Sequence, residues 1–350
     1  METLLVADDL TGACDAAVHF AMRGLRPAVV RLPGHAYTGH ARVVACSTES
    51  RDMAPAAIRG ALVDVAAEFR AVAVGRVFKK IDSTLRGNVG MEVAAARDAF
   101  NCDAAVVCPA FPAMRRVVEQ GILRAPQLAP INMRERLCEQ SGEACVHVCP
   151  RDLADALASG ARLISVDAID NADLRQIAEV LCGVDGRRIL WAGSAGLASA
   201  LASHIDGVET PPILEAARGP VLFCIGSDHA VTLEQQAALL ASRACTLSET
   251  GALAAGRHVV MRIPRGSIPA ARFGAARPAA LVVSGGDTAS LVFHAIGACA
   301  IELYAEIVAG VPYGLLRGGM FDGLPVVTKS GGFGDRDTLV NVADFFHAPI

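Results

Sequence analysis

The sequence predicts an α/β protein of two domains, each with a mostly parallel β-sheet flanked by helices. Three observations carry this. The chain has 350 residues, more than the ~250–300 residues at which one hydrophobic core stops growing. Hydrophobic residues make up 53% and charged residues 19%, enough to bury sizeable cores and unlike a disordered chain. Short apolar runs alternate with amphipathic or alanine-rich stretches, the pattern of βαβ units.

The elements follow in order. Thr3–Ala7 reads as a strand and residues 11–23 as a helix with Gly24 as its stop. Pro27–Leu32 and Arg42–Cys46 read as strands, Ala54–Arg70 as a helix, Arg76–Ile81 as a strand and Val89–Phe100 as a helix. Ala104–Cys108 is a strand ended by Pro109. Arg162–Val166, a helix around 172–182, Arg188–Ala192 and a helix from near Ser194 complete the first half. The stretch 206–220, with three prolines and two glycines, marks a boundary between domains 1–210 and 218–350. Val221–Ile225, a helix at 231–242, and strands His258–Ile263, Ala280–Val283, Ile301–Val308 and Pro325–Thr328 follow.

Composition excludes several classes. A net charge of -4 and 5% aromatics leave neither a basic footprint nor a stacking surface for nucleic acid. Mean hydropathy is +0.40, yet the longest apolar stretch, Ile189–Ser203, falls short of the ~20 residues of a membrane span. METLLVADD lacks the basic region of a signal peptide and reads as a strand. Eleven cysteines, an odd and scattered set, predict reduced thiols in the cytoplasm. Cys145, His147 and Cys149 resemble half a metal site, but no second pair lies nearby, so no metal centre is predicted.

Ligands of open parallel sheets bind beyond the carboxyl ends of the strands. In the first half those ends are polar: Asp8-Asp9; Ser47 to Arg51; Asp82-Ser83-Thr84-Leu85-Arg86; and Pro109 to Pro112 with Arg115 and Arg116 behind. Carboxylates suit substrate hydroxyls, as acceptors or as a general base, and arginine suits a carboxylate. A polyhydroxy acid meets both demands. Asp9 or Thr11 is equally readable as a helix cap, and Asp82 with Arg86 as a local salt bridge. Lys79 and Lys80 point to opposite faces of their strand, and Lys80, nearer its end, is the one expected to face the site. In the second half, Gly226-Ser227-Asp228-His229, Ser284-Gly285-Gly286-Asp287-Thr288 and Lys329-Ser330-Gly331-Gly332 each follow a strand. Three such ends together predict a phosphate site, although neither a P-loop nor a dinucleotide fingerprint is present.

VADDLTGACDAA, KKIDSTLRGNVG, CPAFP, WAGSAGLASAL, VSGGDTA and GVPYGLLRGGMFDGLPVVTKSGGFGD together resemble, in order, the motifs of the four-carbon acid sugar kinases, which act on threonate, erythronate or 3-oxo-tetronate. The resemblance spans about residues 4–343. It implies an N-terminal domain that binds the sugar acid and a C-terminal domain that binds ATP, with Mg²⁺ on the phosphates. It places Asp8, Asp9, Arg51, Lys80, Asp82, Ser83 and Arg86 in the acid site, and Ser227, Gly285 to Thr288 and the Gly331-Gly332 turn in the nucleotide site. Two departures stand out: a shorter chain than many members, and His229 where many carry a small polar residue. The expected reaction is phosphoryl transfer to a terminal hydroxyl, with Asp8 or Asp82 handling its proton, Arg51 or Arg86 on the carboxylate and Lys80 on the transferred group. The rivals are a sugar-acid sensor on the same fold and an aspartyl-phosphate phosphatase, whose DxDxT spacing Asp8-Asp9-Leu10-Thr11 does not match. Whether the protein is a monomer or a homodimer is left open by the sequence.

Overall fold

The computed structural model describes residues 1–25, 28–32, 35, 41–205, 218–242, 245–253, 257–266, 268–274 and 277–346. The chain divides into two compact units, residues 1–26 with 38–209, and residues 27–37 with 210–350. The proline-rich connector expected at 206–220 falls outside the described residues over 206–217. Among the described residues, no helix is long and apolar enough to cross a membrane.

The chain begins with β1 (Thr3–Ala7), α1 (Leu10–Met22), β2 (Ala28–Arg31), β3 (Val43–Ser47), α2 (Pro55–Glu68), β4 (Arg76–Lys80), α3 (Val89–Ala99) and β5 (Ala104–Cys108). Next come β6 (Val117–Glu119), β7 (Ile122–Arg124), β8 (Ile131–Asn132), α4 (Met133–Ser141), β9 (Val146–Val148) and α5 (Leu153–Ala158). Then β10 (Leu163–Val166), α6 (Asn171–Cys182), β11 (Ile189–Gly193) and α7 (Ala195–Ser203) complete the first unit. Its main sheet has the order β3-β1-β4-β11-β5-β10-β9, parallel throughout. β1, β3, β5 and β11 are buried along their whole length, which is why they read as continuous apolar runs.

Register sets the site. Ala7 lies beside Ser47 and Lys80, and Gly193 beside Lys80 and Cys108, so the strands end level. The chain puts β3 on one side of β1 and β4 on the other, which makes the end of β1 a switch point. α1 starts there. Asp9 caps it, in extended conformation, accepting from Gly12 N–H at 2.9 Å. The helix is buried nearly all round, and its small residues let it pack against the equally small-residue α7.

Three short strands form a separate antiparallel sheet, β6-β7-β8. Strands of two or three residues carry no readable period, and the sequence does not predict them.

The second unit contains β2, then β12 (Val221–Ile225), α8 (Ala230–Ala241), β13 (Cys245–Ser248), β14 (His258–Arg262), β15 (Ala280–Ser284) and α9 (Gly286–Ala295). It ends with β16 (Ala300–Glu306), β17 (Pro312–Arg317), β18 (Pro325–Lys329) and α10 (Thr338–Phe346). The order is β13-β14-β12-β15-β18-β17-β16-β2. Pairing is parallel from β13 to β18 and antiparallel from β18 to β2. The single strand expected over Ile301–Val308 instead ends at Glu306 and turns into β17. A connection that short can only make an antiparallel hairpin. β12, β15 and β18 are neighbours with level ends, Ile225 beside Ser284 and Ser284 beside Lys329.

Candidate active site

In the first unit the polar strand ends converge on Arg51. Its Nε donates to Asp8 Oδ2 at 2.7 Å and its Nη1 to Asp9 Oδ2 at 3.0 Å. Nη2 lies 3.0 Å from Asp9 Oδ1 and 3.8 Å from Asp82 Oδ2. Burial opposes the guanidinium charge, but the three carboxylates outweigh it and hold Arg51 well above its ordinary range. Burial pushes Asp9 up, and Arg51 and Lys80 more than reverse this, leaving it below the usual carboxylate value.

Asp82 is the most committed of the three. Thr84 N–H donates to its Oδ1 at 2.8 Å, as does the Thr84 hydroxyl, and Arg86 grips Oδ2 through Nε at 3.1 Å and Nη2 at 2.5 Å. Burial pushes its carboxyl up, but Arg86, Arg51 and Thr84 together hold it far below the usual range. The local salt bridge and the strand-end position therefore coexist. Such a carboxylate is a poor proton acceptor at neutral pH.

Asp8 differs. Its Oδ2 faces Arg51, while its Oδ1 is buried with no hydrogen-bond partner. Both oxygens of Asp9 and of Asp82 are engaged. A buried acceptor left open costs free energy unless something fills it. Oδ1 of Asp8 is thus the vacant acceptor of the cluster.

The strand pair Lys79-Lys80 splits as its period requires. Lys79 is wholly buried and pairs with Glu92 of α3 at 2.5 Å. Lys80 turns to the other face, its Nζ 3.0 Å from where a Cβ on Gly12 would sit. A side chain at this position of α1 would crowd it. Ser83 Oγ accepts from Arg116 Nη1. Burial pushes Arg116 below its ordinary value by more than Asp82 and Asp15 raise it, a cation poised for an added anion. Arg116 carries no sequence signal of its own beyond lying behind a strand end. The tight 111–116 turn delivers it, closed by Arg116 N–H to Phe111 O at 3.2 Å with Arg115 in the left-handed region. Against Asp8, Asp9, Asp82 and the buried Asp15 that acts on Arg116 stand Arg51, Lys80, Arg86 and Arg116, so carboxylates and cations are matched. The cluster suits a hydroxylated anion.

The second unit brings its three glycine-bearing ends together. Gly285, with φ 110°, caps α9 without a side-chain bond, so the first amides of α9, from Gly286, Asp287 and Thr288, have no capping side chain and no intrahelical acceptor. Ser284 Oγ is buried without a partner. A Cβ on Gly331 would collide with Ser227 Oγ, so the 226–229 and 330–334 turns touch. His229 caps α8, its Nδ1 accepting from Val231 N–H at 3.3 Å, and its ring lies against Gly332. The residue that departs from the family pattern thus fills a structural role that small polar residues also fill.

Lys329 differs from its expected place at the ligand. Its Nζ is buried under the glycine turn and donates to the carbonyls of Ser330 at 2.9 Å, Gly331 at 3.3 Å and Phe333 at 3.3 Å. Thr232 Oγ1 also donates to Gly331 O at 2.6 Å. In a trans peptide the N–H points opposite the carbonyl. With the carbonyls of Ser330 and Gly331 held inward, the N–H groups of Gly331 and Gly332 face out, and neither has an acceptor among the described residues. Two successive outward amides have the form of a backbone nest.

Residues 3–150 and 132–201 match the model of a sugar-binding N-terminal domain, and residues 262–339 that of a nucleotide-binding C-terminal domain. The D-threonate kinase of Bordetella bronchiseptica is 35% identical, over 97% of this chain and 96% of its own length. This chain belongs to the four-carbon acid sugar kinase family. The D-threonate kinase of Cupriavidus necator is 31% identical over 97% of this chain and 96% of its own. A Haemophilus influenzae protein of known crystal structure, 20% identical, superposes with a TM-score of 0.72 over 98% of this chain and 100% of its own, which establishes the shared fold. The Arg51 cluster lies wholly within the sugar-binding match. Gly285 to Thr288 and the Gly331-Gly332 turn lie within the nucleotide-binding match, and Ser227 lies outside both.

Proposed function

We propose that this protein is an ATP-dependent kinase that phosphorylates the terminal hydroxyl of a four-carbon sugar acid, with D-threonate the leading substrate. The vacant Oδ1 of Asp8, at the switch point and inside a cluster of carboxylates and arginines, is the observation that carries the reading. Kinship to two D-threonate kinases supports the choice of acid.

Asp8 accepts the hydroxyl proton as the substrate oxygen forms its bond to the γ-phosphorus and the bond to the ADP oxygen breaks. Asp82, saturated by Thr84 and Arg86, positions and does not exchange protons. Arg51 is committed to three aspartates, so the substrate carboxylate falls to Arg86, which is exposed, and Arg116. Asp9 and Ser83 bind substrate hydroxyls, and Lys80 offsets charge on the transferred group. Catalysis of this kind is mostly positioning and charge stabilisation.

The ATP phosphates rest on the outward amides of Gly331 and Gly332, the start of α9 from Gly286 to Thr288, and the hydroxyls of Ser227 and Ser284. The glycine cradle and the orphaned Ser284 Oγ fit such a group. Mg²⁺ travels with the phosphates and lowers the charge on the transferred group, and Asp287 is the carboxylate at α9 able to hold it. Eleven free cysteines support a reducing compartment, the cytoplasm.

Release of ADP, measured with a panel of four-carbon acids, tests the reading. D-threonate is expected to give the highest kcat/KM. Acid binding without ADP release would instead identify a sensor. Gly331→Ala drives a Cβ into Ser227 Oγ and is expected to weaken ATP binding by about 1–2 kcal/mol, roughly 5–30-fold. Unchanged ATP affinity would remove that turn from the nucleotide site.

A further inference from the structure

Among the described residues, the ammonium of Lys329 has no carboxylate within ion-pair reach, and its polar partners are Thr232 Oγ1 and the three turn carbonyls. The charged and titratable groups on the elements around it turn elsewhere. His229 caps α8, Glu234 on α8, Asp287 and His294 on α9 and Asp344 on α10 are exposed, and Asp335 bonds Thr338 and the N–H of Asp337. A protonated lysine has three donors, a neutral one only two. Gly331 O also accepts from the Thr232 hydroxyl at 2.6 Å, so either form of the lysine can satisfy the three carbonyls, and what the charged form lacks is a countercharge.

We propose that Lys329 is a proton-coupled positioning residue for the nucleotide: it holds the turn carbonyls inward and the Gly331 and Gly332 amides outward, and the bound phosphates supply the countercharge that its ammonium form lacks. This deepens the nucleotide-site reading above and rests on it. Burial alone pushes Lys329 down to about 7, so the free protein loses this proton near neutrality. An anion on the far side of the turn raises the group again. The sign follows: below pH 7 the lysine is already charged and binding moves no proton. Above it, binding takes one up, and affinity falls by up to about tenfold per pH unit until the pKa of the bound state.

The test is calorimetric titration of the wild type with Mg²⁺ and ADP, without acid substrate, in buffers of different ionisation enthalpy. At pH 8.5 the ADP phosphates are fully ionised, so they supply no titration of their own. Uptake of most of one proton at pH 8.5, little at pH 6, and affinity falling between pH 7.5 and 8.5 are expected. Lys329→Arg stays charged throughout and should bind ADP with no uptake, and His229→Asn should keep the uptake. Binding without proton uptake, uptake that survives Lys329→Arg, or uptake lost with His229→Asn would each overturn the proposal. If the wild type binds no ADP at any pH, the nucleotide reading itself falls and this inference with it.

Discussion

Asp8→Asn is expected to lower kcat by about 10²–10⁴-fold, the usual worth of a positioned general base, while ATP binding persists. The amide is isosteric and can still accept from Arg51 Nε through its oxygen, now 2.7 Å away at Oδ2. That orientation turns its NH₂ toward the space faced by Oδ1, where the substrate hydroxyl needs an acceptor. The variant therefore presents a donor to a donor and has no basic oxygen for the proton. Paired measurements of steady-state ADP release and of ATP binding decide it. Wild-type turnover would remove Asp8 from proton transfer, and a joint loss of turnover and ATP binding would point to misfolding.

Arg51→Met should cost about 3–5 kcal/mol of stability, the range for removing one partner of a buried ion pair. Three carboxylates share this one guanidinium, and without it they face one another in a poorly solvated site. The pH dependence carries the sign. In the wild type, Asp9 and Asp82 sit below their ordinary value. Their stabilisation is present above that value and is lost as pH falls through the folded-state values. In the variant the same carboxylates repel and bind protons more readily, so acid relieves part of the damage. The gap in Tm between wild type and variant should be widest near pH 7 and narrow toward pH 4. A gap of constant size would mean that Arg51 acts through packing, and not through charge.

Much of this was readable from the chain. Strands such as β1, β12 and β15 are short apolar runs ended by polar or glycine residues, so both their position and their polar ends show in the sequence. The two-residue period of a strand was enough to separate Lys80 from Lys79. What the sequence hides is commitment. Asp82 and Asp8 look alike as letters after a strand, and only the fold assigns Thr84 and Arg86 to one and leaves Oδ1 open on the other. Lys329 reads as a cation beside a glycine turn. Its inward direction depends on Thr232, nearly a hundred positions earlier, and on the carbonyls that follow it. Arg116 reaches Ser83 only because the chain doubles back at 111–116. Asp9 shows that two readings of a residue can both hold, since it caps α1 and binds Arg51 at once.

The placement of β2 in the second unit has a consequence for biosynthesis. Residues 28–31 emerge early from the ribosome, yet their partner β16 spans 300–306. At ~5–20 residues per second, roughly 15–55 s of translation separate the two. Through that interval β2 waits for a partner that does not yet exist. Expressing residues 218–350 alone would leave β16 without the strand that covers it, an open backbone row of the kind that recruits other chains. A soluble version of that half therefore needs residues 27–37 supplied with it, either fused or as a peptide.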